Sequence, residues 1–213
     1  GFSATHGLRF DIDAALEGMG ERFFCEDILF KYHAACYGTH SAIECARLIR
    51  ENPDFAIENI VKVEIRVHTR ITHMCDIPAP RDGLGIKFSL RMTVALALSG
   101  EPTSALHVYS EEYAARPDLV AIRDKVASVI DDQYGYRGAG VTVHLTDGTV
   151  LHEDFDVAIP ESDLLIQEAK LTEKFHSLAE PVIGRVNATT VVDLVLSLES
   201  QASINPLIRA LTG

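Results

Sequence analysis

The run Phe30-Lys31-Tyr32-His33-Ala34-Ala35-Cys36-Tyr37-Gly38-Thr39-His40 places a cation, two imidazoles and a thiol within eleven residues, just before an amphipathic helix pattern. A helix start presents free backbone N–H groups and the positive end of a dipole, and so attracts carboxylate or phosphate. Lys31 and His40 would reinforce that attraction. The segment reads as an anion-handling site with titratable groups beside it, and small carboxylates are the first ligands to consider.

The other chemistry-bearing residues are weaker signals. Lys87-Phe88-Ser89 stands at the start of a strongly apolar segment, where a lysine sits poorly against the dipole unless it serves an anion. The ordinary reading of Lys31 or Lys87 is a solvated lysine whose stem lies on the surface, and that of His33 or His40 is a packed or loop-supporting ring. Cys36 to His40 and His73 to Cys75 do not match a standard zinc spacing, so no metal site is expected. Cys36 lacks an accompanying triad or oxyanion pattern for a nucleophile. Gly83-Leu84-Gly85 is only a fragment of a phosphate loop and reads as a turn.

The elements that must position these groups follow from periodicity. Residues 11–19 form a short helix pattern stopped by Gly20, and residues 23–32 look extended. Ser41-Ala42-Ile43-Glu44 fits a capping box for a helix over 42–51, with Ala42, Cys45, Ala46 and Ile49 inward and Glu44, Arg47, Arg50 and Glu51 outward. Strict alternation over 61–71 predicts a half-buried strand, and 86–99 predicts one deeply buried helix ended by Gly100. Residues 109–115 and 117–124 are shorter helical pieces, and 126–130 is a short strand. Residues 141–146 and 149–154, joined by Asp147-Gly148, predict a hairpin with a type I′ turn.

After Pro160 the character changes to three helix patterns, 162–179, 187–199 and 204–211, without strands between them. The expected architecture is therefore α+β, an antiparallel or mixed sheet packed with helices, followed by a helical C-terminal tail. The domain expectation is 1–160 for the α+β part and 161–213 for the tail.

Composition limits the partners. The 213 residues are 47% hydrophobic and 23% charged, enough for one sizeable core. No apolar run approaches the ~20 residues that span a bilayer. A formal charge of -12 and a pI of about 5.1 disfavour nucleic acid and anionic lipid. Any anionic substrate must then be held by local cations acting against the global field. Four cysteines with no leader ahead of them do not make a disulfide scaffold, so a reducing, cytoplasmic compartment is expected. The opening Gly1-Phe2-Ser3 suggests a processed or truncated product.

Three stretches resemble the C-terminal half of the MmgE/PrpD family, which includes 2-methylcitrate dehydratases, cis-aconitate decarboxylases and iminodisuccinate epimerases. They are Lys31 through His40 running into Ser41-Ala42-Ile43-Glu44; Lys87-Phe88-Ser89-Leu90 with Val94-Ala95-Leu96-Ala97-Leu98 and Gly100; and Val141-Thr142-Val143-His144-Leu145 with Asp147-Gly148, followed by a tail containing Lys170 and Lys174. The resemblance implies a cofactor-independent lyase or isomerase acting on a small di- or tricarboxylate, with 2-methylcitrate-type dehydration ahead of epimerisation or decarboxylation. It implies Lys31 and His40 as catalytic residues; beside them, Lys87, His33 and Thr39 are the expected substrate-binding residues. His33-Ala34 departs from the aromatic-proline pair of relatives, and no tyrosine follows the 61–71 strand where decarboxylases carry one. The tail is expected to pack on an absent N-terminal helical domain or on a partner, in a homodimer or with a separate chain. The alternative is a catalytically inactive C-terminal module that serves binding or assembly.

Overall fold

The structure, a computed structural model, describes residues 5, 11–21, 23 and 28–212. The chain divides into two compact units, residues 1–30 and 31–213. In the first, α1 (Ile12–Leu16) is capped by Asp11, whose carboxylate accepts from the amides of Asp13 and Ala14 at 3.1 Å. It ends two residues before Gly18, where φ becomes positive, so it is shorter than the predicted 11–19. Much of the extended segment expected over 23–32 lies outside the described residues, and 28–32 carry no regular structure.

The second unit is built on a four-stranded mixed sheet in the order β2-β1-β3-β4. Its strands are β1 (Ile60–Val67), β2 (Val126–Ile130), β3 (Gly138–Leu145) and β4 (Val150–Asp156). β1 runs parallel to β2, with Val63 beside Val126, and antiparallel to β3, with Val63 beside Val143. A parallel pair needs a crossover, and helices between β1 and β2 supply it. They are α3 (Thr69–Cys75), α4 (Gly83–Lys87), α5 (Leu90–Leu98), α6 (Glu111–Ala115) and α7 (Pro117–Arg123). The fold class is α+β, as the sequence predicts.

One sheet face carries Val63, Ile65, Val67, Val141, Val143 and Leu151 into a single core with α2 (His40–Glu51) and α5. The other face is polar. There Glu64 pairs with Lys62 at 3.2 Å and His144 at 3.3 Å, and His152 lies 3.2 Å from Asp154. The alternating charges of β1 are thus a sheet face that pairs with itself.

Several local expectations are corrected. The β1 strand begins with a bulge between Ile60 and Lys62, which turns Val61 outward although strict alternation placed it inside. It ends at Val67, because His68 accepts the amide of Arg70 at 3.1 Å and starts α3. Ile71 is buried either way, which is why periodicity ran on through it. The single helix expected over 86–99 is two. Ser89 takes an extended backbone, caps α5 by accepting from Met92 N at 3.1 Å, and donates to the Ile77 carbonyl at 2.6 Å.

The hairpin forms with a different turn. Gly148 N donates to Leu145 O at 3.1 Å, Gly148 has φ 89°, and no non-glycine residue among those described has positive φ. This is a type I turn closed by a glycine bulge, so Asp147 avoids the strain of type I′ and instead accepts the Thr149 amide at 2.9 Å.

The tail contains α8 (Leu164–Leu196) and α9 (Asn205–Thr212), which packs back on α8. The two helix patterns expected over 162–179 and 187–199 are joined into α8 and interrupted at Gly184, whose φ 77° and ψ 157° lie in a region that glycine alone enters freely. Val182 and Val186, flanking that break, are 82% and 79% exposed, and Leu164 and Leu165 are also open. No helix among the described residues is long and apolar enough to cross a membrane.

Candidate active site

Residues 31–36 are held by backbone bonds to a loop and to the end of α4, Ala34 N to Thr103 O at 2.9 Å and Cys36 N to Lys87 O at 3.0 Å. A 3-10 turn, Tyr37–Thr39, then leads directly into α2. The path is tight at Gly38, where a Cβ would stand 3.0 Å from Cys75 Sγ and 3.2 Å from Ile71 Cδ1. Cys36 and Cys75 share a thiol contact beneath the turn, and burial followed by that contact pushes the Cys75 thiol far up. Both thiols are free, and the contact is packing.

The helix start is not open to a ligand. α2 begins at His40, two residues earlier than predicted, and His40, Ser41 and Ala42 are all buried. The capping box does not form because both of its side chains are used elsewhere. Ser41 Oγ donates to the Arg137 carbonyl and accepts from Val157 N at 3.1 Å, stitching α2 to the strand ends. Glu44, expected to face solvent, is buried and lies 2.8 Å from His33 Nε2.

His33 is 2% exposed and has both ring nitrogens engaged, with Nδ1 2.8 Å from Thr103 Oγ1. Burial holds its imidazole neutral against the pull of Glu44. Burial also opposes the Glu44 carboxylate, but the His33 hydrogen bond and the Arg47 charge outweigh it and keep Glu44 ionised. In that state Nε2–H donates to Glu44 and the Thr103 hydroxyl donates to Nδ1. The Thr103 carbonyl in turn accepts from Tyr109 OH at 2.7 Å.

His40 packs between two rings, 4.9 Å from His33 and 5.0 Å from Tyr37. Its Nε2 finds no partner among the described residues. Burial, then the neighbouring His33, push its pKa down to about 2, with Lys31 and Lys174 adding to the shift. His40 is therefore neutral at physiological pH and cannot add positive charge, in contrast to the sequence reading. Thr39 is fully buried, its hydroxyl donating to the Cys36 carbonyl at 2.9 Å.

The cations gather on a cleft above this layer. Lys31, Ala35 and Cys36 from the loop, Lys87 and Phe88 from the end of α4, and Lys174 and Leu178 from α8 line it, with His33 at its base. Lys87 is in the last turn of α4 and not the first turn of the buried helix, so it suits the local dipole, and its Nζ lies 5.5 Å from the Tyr109 ring centre. Lys174 Nζ donates to the Lys31 carbonyl. Loss of water around Lys174, then the charge of Lys31, hold its pKa below the usual lysine value.

Sequence reasoning did not assign Lys174 or Glu44 to the site. Lys174 belongs to the tail stretch of the resemblance but carries no signal of a role, since a lysine on a tail helix reads as solvated. Glu44 had a misleading one, the serine three residues before it. A second cavity of about 250 Å³ also has His33 in its lining, together with Arg47, Arg50, Glu101, Thr103 and Lys170.

The chain thus forms an α+β domain with a lysine-lined cleft beside a buried histidine pair. Comparison with known proteins gives it a family. The MmgE/PrpD C-terminal domain matches residues 33–199, and the chain belongs to this family. It is 24% identical over 213 residues to cis-aconitate decarboxylase of Aspergillus terreus (strain NIH 2624 / FGSC A1156), covering 93% of this chain and 43% of that protein. It is 26% identical over 207 residues to the cis-aconitate decarboxylase-like protein oryM of Aspergillus oryzae (strain ATCC 42149 / RIB 40), covering 92% of this chain and 42% of that protein. The chain thus spans less than half the length of these curated relatives.

Proposed function

We propose that the whole protein carrying this chain is a lyase acting on a small di- or tricarboxylate, with the cleft of Lys31, Lys87 and Lys174 as the carboxylate-binding wall. The observation that carries this reading is the pairing of the six lysines. Lys62 and Lys170 each have a carboxylate at 3.2 Å, and Lys125 donates to the Ile60 carbonyl. The three on the cleft have no carboxylate partner among the described residues, although the chain holds 31 acidic residues against 19 basic ones. Unpaired ammonium groups gathered in one place favour an anion brought from solution.

Such groups also fit the chemistry. Elimination of water or loss of carbon dioxide from a polycarboxylate builds negative charge beside a carboxylate, and fixed cations stabilise it without reorganising. Lys31 is the proposed carboxylate ligand or proton donor, and Lys87 an anion ligand. Neutral His40 keeps a free Nε2 that can donate or accept, and because its ring is buried and does not line the cleft, that role requires the loop to open to the ligand. His33 and Thr39 take positioning roles in this reading, because their polar atoms are engaged within the loop.

Dehydration of the 2-methylcitrate type is the reaction proposed first, since no tyrosine occurs in the segment from His68 to Cys75 that follows β1. Decarboxylation is the second reading, favoured by the names of the fungal relatives. Incubating the full-length protein with 2-methylcitrate, citrate and cis-aconitate, followed by proton NMR, separates them. An unsaturated tricarboxylate formed from a hydroxy acid supports dehydration; carbon dioxide release from cis-aconitate supports decarboxylation; no turnover of any of them contradicts both.

A different class of function, a binding or assembly module, is favoured by the open apolar residues of α8 at Val182 and Val186. Homodimerisation, or cover from a helical domain outside this chain, would bury them.

A further inference from the structure

We propose that Lys174 is a ligand for a second substrate carboxylate, so that the tail helix α8 completes the site and selects polycarboxylates over monocarboxylates. The inference rests on the carboxylate reading above and extends it to a lysine of the tail to which the resemblance assigns no role.

Three observations support it. Lys174 lies 143 residues from Lys31 in the chain, yet its Nζ reaches the Lys31 carbonyl and lines the same cleft as Lys31 and Lys87. An ammonium has three donors. One is used by that carbonyl, and no carboxylate among the described residues takes the others. The tail lysine one turn earlier behaves differently, since Lys170 is neutralised by Glu161 at 3.2 Å and lies 5.2 Å from the Tyr32 ring centre. Two lysines on one helix are thus divided between a paired structural contact and an unpaired position in the cleft.

Electrostatics agrees with the geometry. Lys174 is partly desolvated beside the like charge of Lys31, an arrangement that costs energy until an anion enters. A carboxylate bound at Lys174 would remove the repulsion and replace the lost water. A ligand with a single carboxylate can satisfy Lys31 alone. A ligand with two or three can also satisfy Lys174.

Calorimetric titration of the full-length protein with tricarballylate, glutarate and butyrate tests this, using Lys174→Met, Lys174→Arg and Lys31→Met. Methionine keeps the helical propensity and apolar stem of the lysine. The expected result for Lys174→Met is at least about tenfold weaker tricarballylate binding with butyrate binding unchanged, and recovery in Lys174→Arg. Equal weakening for all three ligands would mean that Lys174 only holds the Lys31 loop, and it would overturn the inference. Unchanged binding in Lys174→Met alongside weakened binding in Lys31→Met would also overturn it while leaving the carboxylate reading in place. Failure of the unmodified protein to bind any of the three, or unchanged binding in Lys31→Met, would remove both. If Lys174→Met does not fold, acylation of the unmodified protein with a succinimidyl ester, read by mass spectrometry, gives the same decision. Tricarballylate should protect Lys174 together with Lys31, and protection of Lys31 without Lys174 would contradict the proposal.

Discussion

His33 Nε2 lies 2.8 Å from Glu44 Oε1, and this contact fixes the loop that carries Lys31 onto the first turns of α2. The pair is buried, so the bond matters more than its length suggests, because neither group can turn to water instead. Glu44→Ala leaves the His33 N–H without an acceptor and should cost about 2–3 kcal/mol of unfolding free energy. Glu44→Gln keeps an oxygen in place and should cost less. Urea titration of both variants checks the order; equal stability for the two would contradict the assigned bond.

Acid should destabilise the fold before any carboxylate titrates. The folded-state pKa of His40 is about 2, below that of an unfolded histidine, so the unfolded chain binds the extra proton as pH falls. The stability His40 contributes is therefore full above the unfolded histidine pKa and declines below it. Between pH 7 and 5 the loss from this residue is about 2 kcal/mol. His33, also held neutral, adds in the same direction. Glu44, whose pKa is lowered, loses its contribution only as pH falls below the ordinary carboxylate value, outside this window. Denaturant titration at the two pH values should show the drop, and His40→Gln should reduce it. A pH-independent stability over this range would contradict the buried neutral state.

Gly83 opens α4, and a Cβ there would stand 2.0 Å from the Tyr109 carbonyl oxygen. Backbone cannot yield as a side chain does. Gly83→Ala should displace α4 and with it Lys87, at a cost of about 1–3 kcal/mol typical of overpacking. Thermal melting together with carboxylate titration measures both effects. A variant as stable as the parent, with unchanged affinity, would contradict this close approach.

Gly184 should behave as a backbone joint. Alanine disfavours its φ 77°, ψ 157° conformation by about 1–3 kcal/mol. Gly184→Ala should therefore raise amide hydrogen exchange in residues 185–212 while leaving the sheet protected. Unchanged exchange in that segment would argue against the break at Gly184.

What was legible in the sequence depended on the range of the forces involved. The inward residues Val63, Ile65 and Val67, the apolar α5 stretch and the β3–β4 hairpin follow from patterns only a few residues long, and they were readable. Ends of elements were less so, because they are decided by individual hydrogen bonds. Ser89 and His68 each accept one backbone amide and thereby start a helix inside an uninterrupted apolar or alternating pattern. Ser41 and Glu44 had the local form of a capping box, yet distant partners, Arg137, Val157 and His33, claimed them. Lys31 and Lys87 were visible through their motifs. Lys174 stood in the tail stretch, but its place beside them was not legible, because only the return of α8 across the loop brings it there.

The most direct test of the account is turnover by the full-length protein with Lys31→Ala, measured against the same carboxylate panel by NMR. If the cleft is the working site, the unmodified protein converts one of the hydroxy- or unsaturated tricarboxylates, and Lys31→Ala lowers kcat/KM by at least about a hundredfold, equivalent to ~2.7 kcal/mol of transition-state stabilisation. A folded Lys31→Ala protein with near-normal turnover would contradict the central claim.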